Sequence, residues 1–208
     1  MIDDPKSKDK ESGKSDVAKL TLRRATPADI PAIDAMHFLS VQGLGTADYS
    51  PAELEAFITH GTYDHAMVYG GTYYLIEDRS IEEGGQVIAS GGWAQHLPHS
   101  QTPGAGIDEQ SSILSPTSAK IRSVFVHPKY ARRGLGSRLV RHAEEEAWAA
   151  GFRLLELWAS LTGVPLYRRL GYQEIRRLSI PGGNGIEVPA VHMAKLIASD
   201  SNGATTAA

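Results

Sequence analysis

From Val124 to Ser137 the chain reads Val-Phe-Val-His-Pro-Lys-Tyr-Ala-Arg-Arg-Gly-Leu-Gly-Ser, a strand running into a basic, glycine-bearing loop that opens a helix. That is the pattern of an anion site. Backbone N–H groups in the first turn of a helix have no intrahelical acceptor, and together with the helix dipole they hold phosphate. Gly134 and Gly136 would let the main chain approach such an anion without a Cβ in the way, and Arg132 and Arg133 add charge at the rim. A turn merely shaped by two glycines and solvated by two arginines has the same sequence, and the loop alone does not separate these readings. Two other phosphate loops are excluded on residues: there is no Gly-x-x-x-x-Gly-Lys-Ser/Thr, and Gly134-Leu135-Gly136 has no third glycine or first-strand context for a dinucleotide fold.

Other reactive side chains are sparse. The chain has no cysteine, which excludes disulfides, thiolate metal sites and a thiol nucleophile. Its eight histidines show no metal-ligand spacing, and no metal is expected. His96, His99, Asp108 and Glu109 sit in a long Ser-, Pro- and Gly-rich stretch from His96 to Ser118, the length of a functional loop or a disordered one. Glu156, inside an apolar strand, reads as a structural carboxylate hydrogen-bonded to neighbouring backbone. His127 and His192 are read as structural too.

The elements that must carry these residues can be placed by pattern. Lys19 to Arg23 reads as a strand. Thr26-Pro27-Ala28-Asp29 starts a helix reaching about Leu39, and Ser50-Pro51-Ala52-Glu53 starts another ending near Gly61. Thr72 to Ile76 and Gln86 to Ala94 read as an antiparallel hairpin. Ile121 to Val126, an amphipathic helix over Ser137 to Ala150, and the apolar run Phe152 to Ala159 form a strand–helix–strand crossover, which implies a parallel pair. A short helix near Val164 to Leu170 follows, then strands at Tyr172 to Ser179 and Glu187 to Leu196. The fold class is therefore α/β, a mixed central sheet of about six to seven strands with helices on both faces.

In this setting Ala131-Arg132-Arg133-Gly134-Leu135-Gly136 resembles motif A of the GNAT superfamily of N-acetyltransferases, Gln/Arg-x-x-Gly-x-Gly/Ala, departing from it at Ala131. A second match follows in order: Leu155 to Tyr172, Leu-Glu-Leu-Trp-Ala-Ser-Leu-Thr-Gly-Val-Pro-Leu-Tyr-Arg-Arg-Leu-Gly-Tyr, looks like that family's fifth strand and the helix after it. The resemblance covers roughly residues 19 to 197. It implies a GNAT (acyl-CoA N-acyltransferase) fold whose central parallel strands splay, so that the pantetheine arm of acetyl-CoA enters the gap. Val124, Phe125 and Val126 would lie along that arm, with Val124 and Val126 bonding it through their main chains. Arg132, Arg133, Gly134, Leu135, Gly136 and Ser137 would surround the pyrophosphate, and Ser160 would complete the cofactor set. An amide near Val124 would be the oxyanion donor. Tyr167 occupies the position of the family's usual acid. A phenol with a pKa of about 10 is a weaker acid than a thiol at about 8.5, so full proton transfer to the leaving sulfur is uphill by about 2 kcal/mol, and hydrogen bonding is the safer description. As an ordinary aromatic on a short helix it would simply pack, as Tyr172 is expected to do. Many members of the family place a glutamate on strand four, and Lys120 to Val126 has no acid.

The resemblance implies an acyl-CoA-dependent N-acetyltransferase moving an acetyl group from acetyl-CoA to a primary amine of a small molecule or peptide by direct attack in a ternary complex. The alternative is a noncatalytic acyl-CoA-binding sensor or interaction module. Trp93 could face substrate or pack in the core. With 21 Lys and Arg against 24 Asp and Glu, net charge is -3, which offers no general attraction to nucleic acid or anionic membrane, and neither is an expected partner. No run approaches the ~20 apolar residues of a membrane span, and a cytoplasmic location is expected. Homodimers are common in the family, and no residue here fixes an interface. The 208 residues suit one domain, 19–197, between disordered tails at 1–18 and 198–208.

Overall fold

The computed structural model describes residues 20–60, 65–81, 85–95 and 118–197. The expected tails lie outside these residues, as do His96, His99, Asp108 and Glu109.

Strand β1 (Leu20–Arg24) leads into the start signal at Thr26. There Asp29 Oδ2 accepts from Thr26 N at 2.7 Å, closing a capping box over a 3-10 turn. Helix α1 (Ile30–Leu44) runs five residues past the expected end and is capped by Gly45. Its Gly43 permits a close approach: a Cβ there would stand 2.5 Å from Pro128 Cγ, so α1 packs directly on the turn that follows β4. Helix α2 (Pro51–His60) has the second box, with Ser50 N donating to Glu53 Oε2 at 2.7 Å and Glu53 N to Ser50 Oγ at 3.3 Å. Helix α3 (Ala66–Tyr69) was not expected, because four residues are too few to display a helical period.

The remaining elements are β2 (Tyr73–Asp78), β3 (Gln86–Ala94), β4 (Ala119–Val126), α4 (Leu135–Ala149), β5 (Leu154–Ser160), α5 (Val164–Arg169), β6 (Gln173–Pro181) and β7 (Glu187–Leu196). β5 begins two residues later than Phe152, whose ring instead packs edge-on against Trp93 at 5.8 Å. The seven strands form one sheet in the order β1-β2-β3-β4-β5-β7-β6. Every pairing is antiparallel except β4 with β5.

Alternation along the strands divides the core. Tyr74, Ile76, Ile88, Ile121, Leu155 and Leu157 meet the α4 stripe of Leu135, Leu139, Val140, Ala143 and Ala147. Tyr73 and Leu75 point the other way, into Ile33 and Met36 of α1 and Met67 and Val68 of α3. Ala56 of α2 meets Tyr49 and Val188 on that second face. Full burial of a leucine such as Leu139 stabilises by roughly 1.5–3 kcal/mol, so the α4 stripe fixes the helix that begins at the glycine loop. Among the described residues no helix is long and apolar enough to cross a membrane.

Candidate active site

β4 and β5 form a fork. They are in register only at Ala119↔Leu155 and Lys120↔Glu156, and from there on they share no pairing. Each keeps its outer neighbour: β5 stays on β7 as far as Ser160↔Ala190, and β4 stays on β3 as far as Val126↔Ala89. The β3–β4 ladder is interrupted by a bulge between Ser90 and Gly92, where Ser123 takes a left-handed φ of 54°. Gly91 lies against the bulge, and a Cβ on it would be 2.9 Å from Val124 Cγ2.

The bulge is held from the α1 face by a buried network. Tyr73 donates its hydroxyl to Ser123 O at 2.9 Å and lies 3.1 Å from both His37 Nε2 and Ser90 Oγ, while His37 and Ser90 are 2.7 Å apart. Burial, with the charge of His65 second, lowers His37 to a pKa of about 3, so this imidazole is neutral. Beyond the bulge, His127 N donates to Ile88 O of β3 at 2.8 Å. Strand alternation then turns the main chain of Phe125 toward β3 and those of Val124 and Val126 toward the fork. Among the described residues the Val126 amide donates to Ser40 Oγ, at 3.4 Å. Phe125 thus departs from the expectation that it lines the cofactor arm: its backbone faces β3 and its ring lies on His37, with centroids 4.2 Å apart.

At the carboxyl end of β4, His127 Nδ1 accepts from Lys129 N at 3.2 Å and caps a turn at Pro128–Tyr130. Tyr130 is anchored through its hydroxyl to Asp78 Oδ2 at 2.9 Å, and the Arg133 guanidinium sits 5.1 Å over its ring. Arg132 and Gly134 both have positive φ, 63° and 82°. The first bond of α4 runs from Arg138 N to Gly134 O at 2.9 Å, so the amides of Leu135, Gly136 and Ser137 precede the helical ladder. A Cβ on Gly134 would meet nothing within 4 Å, whereas one on Gly136 would lie 3.1 Å from Leu166 Cδ2 and 3.7 Å from Val126 Cγ2. Only Gly134 therefore leaves open space at the loop. Gly136, read from the sequence as clearing a path for an anion, instead lets α4 pack against α5 and the tip of β4.

That contact brings Tyr167 to the same end of the fork. Its ring is buried, lies edge-on to Tyr172 at 5.6 Å between centroids, and has no hydrogen-bond partner among the described residues. Burial pushes the phenol well above its ordinary range, so it remains a proton donor throughout the neutral range. Ser160 Oγ accepts from Gly163 N at 3.2 Å, capping the turn that leads to α5. Val124, Val126, the Arg132–Ser137 loop, Ser160 and Tyr167 are thus gathered where the strands part. Trp93 is excluded from this group, being buried in the α4 core.

At the closed end of the fork lies a second polar group that sequence reasoning did not assemble. Glu156, read as bonded to backbone, binds side chains instead: Oε2 accepts from Lys120 Nζ at 2.8 Å and from Ser118 Oγ, and Oε1 faces His192 Nε2 at 3.0 Å. The signal available in the sequence was a titratable residue flanked by apolar ones in each of three strands, Lys120, Glu156 and His192. Tyr49, whose hydroxyl donates to Pro189 O at 2.8 Å and accepts from Leu161 N at 2.7 Å, was also missed. It ties the α1–α2 connection to the ends of β5 and β7. No three His, Asp or Glu side chains gather as a metal site among the described residues.

Comparison with known proteins assigns this arrangement to a class. Residues 70–174, half of the chain, match the acetyltransferase (GNAT) domain, and the chain belongs to that family. An uncharacterised N-acetyltransferase of Methanocaldococcus jannaschii is 36% identical over 67 residues, 31% of this chain and 30% of the relative, so the chain matches less than a third of that protein's length. A solved N-acetyltransferase of Rhodopseudomonas palustris superposes with a TM-score of 0.63 at 22% identity, covering 85% of this chain and 95% of the other. YncA of Salmonella typhimurium, solved with acetyl-CoA, superposes at 0.54 with 18% identity over 91% of this chain and 99% of its own. At these identities the superpositions speak for the fold.

Proposed function

We propose that this chain transfers an acetyl group from acetyl-CoA to a primary amine of a small molecule or peptide, by direct attack in a ternary complex. The observation that carries the reading is the fork: a parallel pair joined at two positions and then open, leading to a left-handed Gly134 and the free first turn of α4. The residues present fit the nucleotide. Val124 and Val126 turn main-chain groups to the gap, where β4 has no partner strand, as an amide-bearing arm requires. The amides of Arg132 to Ser137, with the exposed Arg132 and Arg133, suit a pyrophosphate. Ser160 has its hydroxyl proton left to donate once its oxygen caps Gly163.

Acetyl-CoA supplies an activated thioester, and the chain supplies position and hydrogen bonds. The Val124 amide, fixed by the Tyr73–His37–Ser90 network through the Ser123 bulge, would donate to the carbonyl oxygen as it gains negative charge. Tyr167 would donate to the departing sulfur. With its pKa raised, complete transfer of the phenolic proton costs more than the roughly 2 kcal/mol set by ordinary values, so Tyr167 acts as a hydrogen-bond donor to the thiolate.

The test is thiol release from acetyl-CoA across a panel of amines, with CoA binding measured by calorimetry on the same samples. Wild type is expected to turn over with some amine, and Tyr167→Phe to lose about 100-fold in kcat at unchanged CoA affinity. Binding without turnover by wild type would favour the noncatalytic sensor. A Tyr167→Phe variant as fast as wild type would remove Tyr167 from the chemistry.

A further inference from the structure

No acid on β4 is available to take the proton that the attacking amine must lose, and the closed end of the fork holds the best candidate for that task. Val191 and Met193 point into the α4 core, so His192 between them turns to the opposite face, the one that Val188 shares with α2. By the same alternation Glu156 and Trp158 leave Leu155 and Leu157 on the α4 side and share the face of His192. Lys120↔Glu156 is the last pair before β4 and β5 part, and Trp158↔His192 lies one same-face step nearer the opening. Two buried polar atoms at this level have no partner among the described residues, Trp158 Nε1 and His192 Nδ1. Buried polar atoms are rarely left unpaired, so two of them close together at the fork are open to a polar partner.

The two nitrogens of an imidazole point in nearly opposite directions. With Nε2 committed to Glu156 Oε1 at 3.0 Å, Nδ1 points away from that carboxylate and has no partner among the described residues. A neutral ring donating Nε2–H to a carboxylate carries its lone pair on Nδ1, and the carboxylate stabilises the imidazolium formed when that lone pair takes a proton. The other charged groups at this place are Lys120 of β4, bound to the same carboxylate, and Arg176, paired with His192 across on β6.

We infer that His192, oriented by Glu156, is the base that accepts the proton of the attacking amine. This rests on the acetyl-transfer reading above. The amine nitrogen bonds to the acetyl carbon, the carbon–sulfur bond breaks, and the electron pair leaves with sulfur as thiolate, hydrogen-bonded to Tyr167. One amine proton passes to His192 Nδ1 and from there to solvent, and the thiolate takes its proton from solvent.

The experiment compares wild type and His192→Ala with the best amine of the panel, with and without added imidazole or pyrazole, and checks acetyl-CoA affinity by calorimetry. The expected result is a loss of about 100-fold in kcat at unchanged acetyl-CoA affinity, restored in part by imidazole and not by pyrazole, which has the same shape and is a far weaker base. A loss below threefold, or equal rescue by pyrazole, would overturn the inference, because pyrazole refills the space without supplying a base. If wild type binds acetyl-CoA and acetylates no amine, the transfer reading fails and takes this inference with it; an active wild type with an active His192→Ala removes the inference alone. A measurement on unmodified protein guards against misfolding of the variant. Nitrogen NMR of histidine-labelled wild type should find the His192 ring with its proton on Nε2, and a proton resident on Nδ1 of the neutral ring would rule out the assignment.

Discussion

β4 is held differently at its two ends. At the amino end it is paired on both sides, and what it contributes is a side chain, the Lys120 ammonium locked to Glu156. Toward the carboxyl end it is paired on one side only, and what it offers is main chain, at Val124 and Val126. The Ser123 bulge divides the two halves. A strand inside a sheet commits its N–H and C=O groups to its neighbours, so it can present backbone to a ligand only where a neighbour departs. The closed half supplies the fixed point from which that departure is measured.

The largest effect should come from breaking the closed end. Glu156→Ala takes away the carboxylate that balances a buried ammonium, and destabilisation of about 3–5 kcal/mol is expected by urea denaturation. Replacing the pair by Lys120→Met with Glu156→Leu should recover most of that loss, since apolar side chains need no compensating charge. Burial already pushes Lys120 below its ordinary range, with Glu156 opposing the shift. Without the carboxylate the folded state favours neutral lysine more strongly, so the penalty in Glu156→Ala should ease as pH rises. A penalty below about 1 kcal/mol would mean that the charge pair does not set where the fork closes.

The junction between the halves should show itself through pH. An unfolded His37 takes up a proton at about pH 6.5, while the folded one resists to about 3. Between those values the unfolded state binds more protons, so stability falls as pH falls through this window. From pH 7 to pH 5 this one group removes about 2 kcal/mol, and His37→Gln should lose that part of the acid dependence. Urea midpoints at the two pH values for both proteins give the answer. If the two proteins lose stability in parallel, the bulge network is not what senses acid.

Sequence made one half of this comparison easier to read than the other. The basic loop, the αL glycine and the crossover unit are local, because a few adjacent residues determine them. Helix starts were legible for the same reason, through Thr26 with Asp29 and Ser50 with Glu53. The closed end is assembled from Ser118, Lys120, Glu156 and His192, up to 74 positions apart in the chain, and only the strand order β4-β5-β7 brings them together. The same holds for His37, Tyr73 and Ser90, which come from a helix and two strands. Phe125 was misplaced because its neighbours Val124 and Val126 face the fork and it, one residue out of phase, does not.

The smallest effect tests the open end, where the two glycines of the loop look alike in sequence and differ in space. Gly134 holds a φ of 82°, and a Cβ there would find nothing within 4 Å. Gly134→Ala should cost about 1 kcal/mol in stability from the left-handed backbone, and its methyl would stand in open space where an anion must approach, so CoA binding should weaken. Gly136 is helical, and a Cβ there meets Leu166 Cδ2, the movable end of a side chain, at 3.1 Å. Alanine is favoured over glycine in a helix by up to about 1 kcal/mol, which offsets a small shift of Leu166, so Gly136→Ala should leave stability nearly unchanged and CoA affinity intact. Calorimetry with CoA on both variants distinguishes them. Equal weakening by the two alanines would mean that the anion is met on both sides of the helix start, and that the open face at Gly134 is not its only approach.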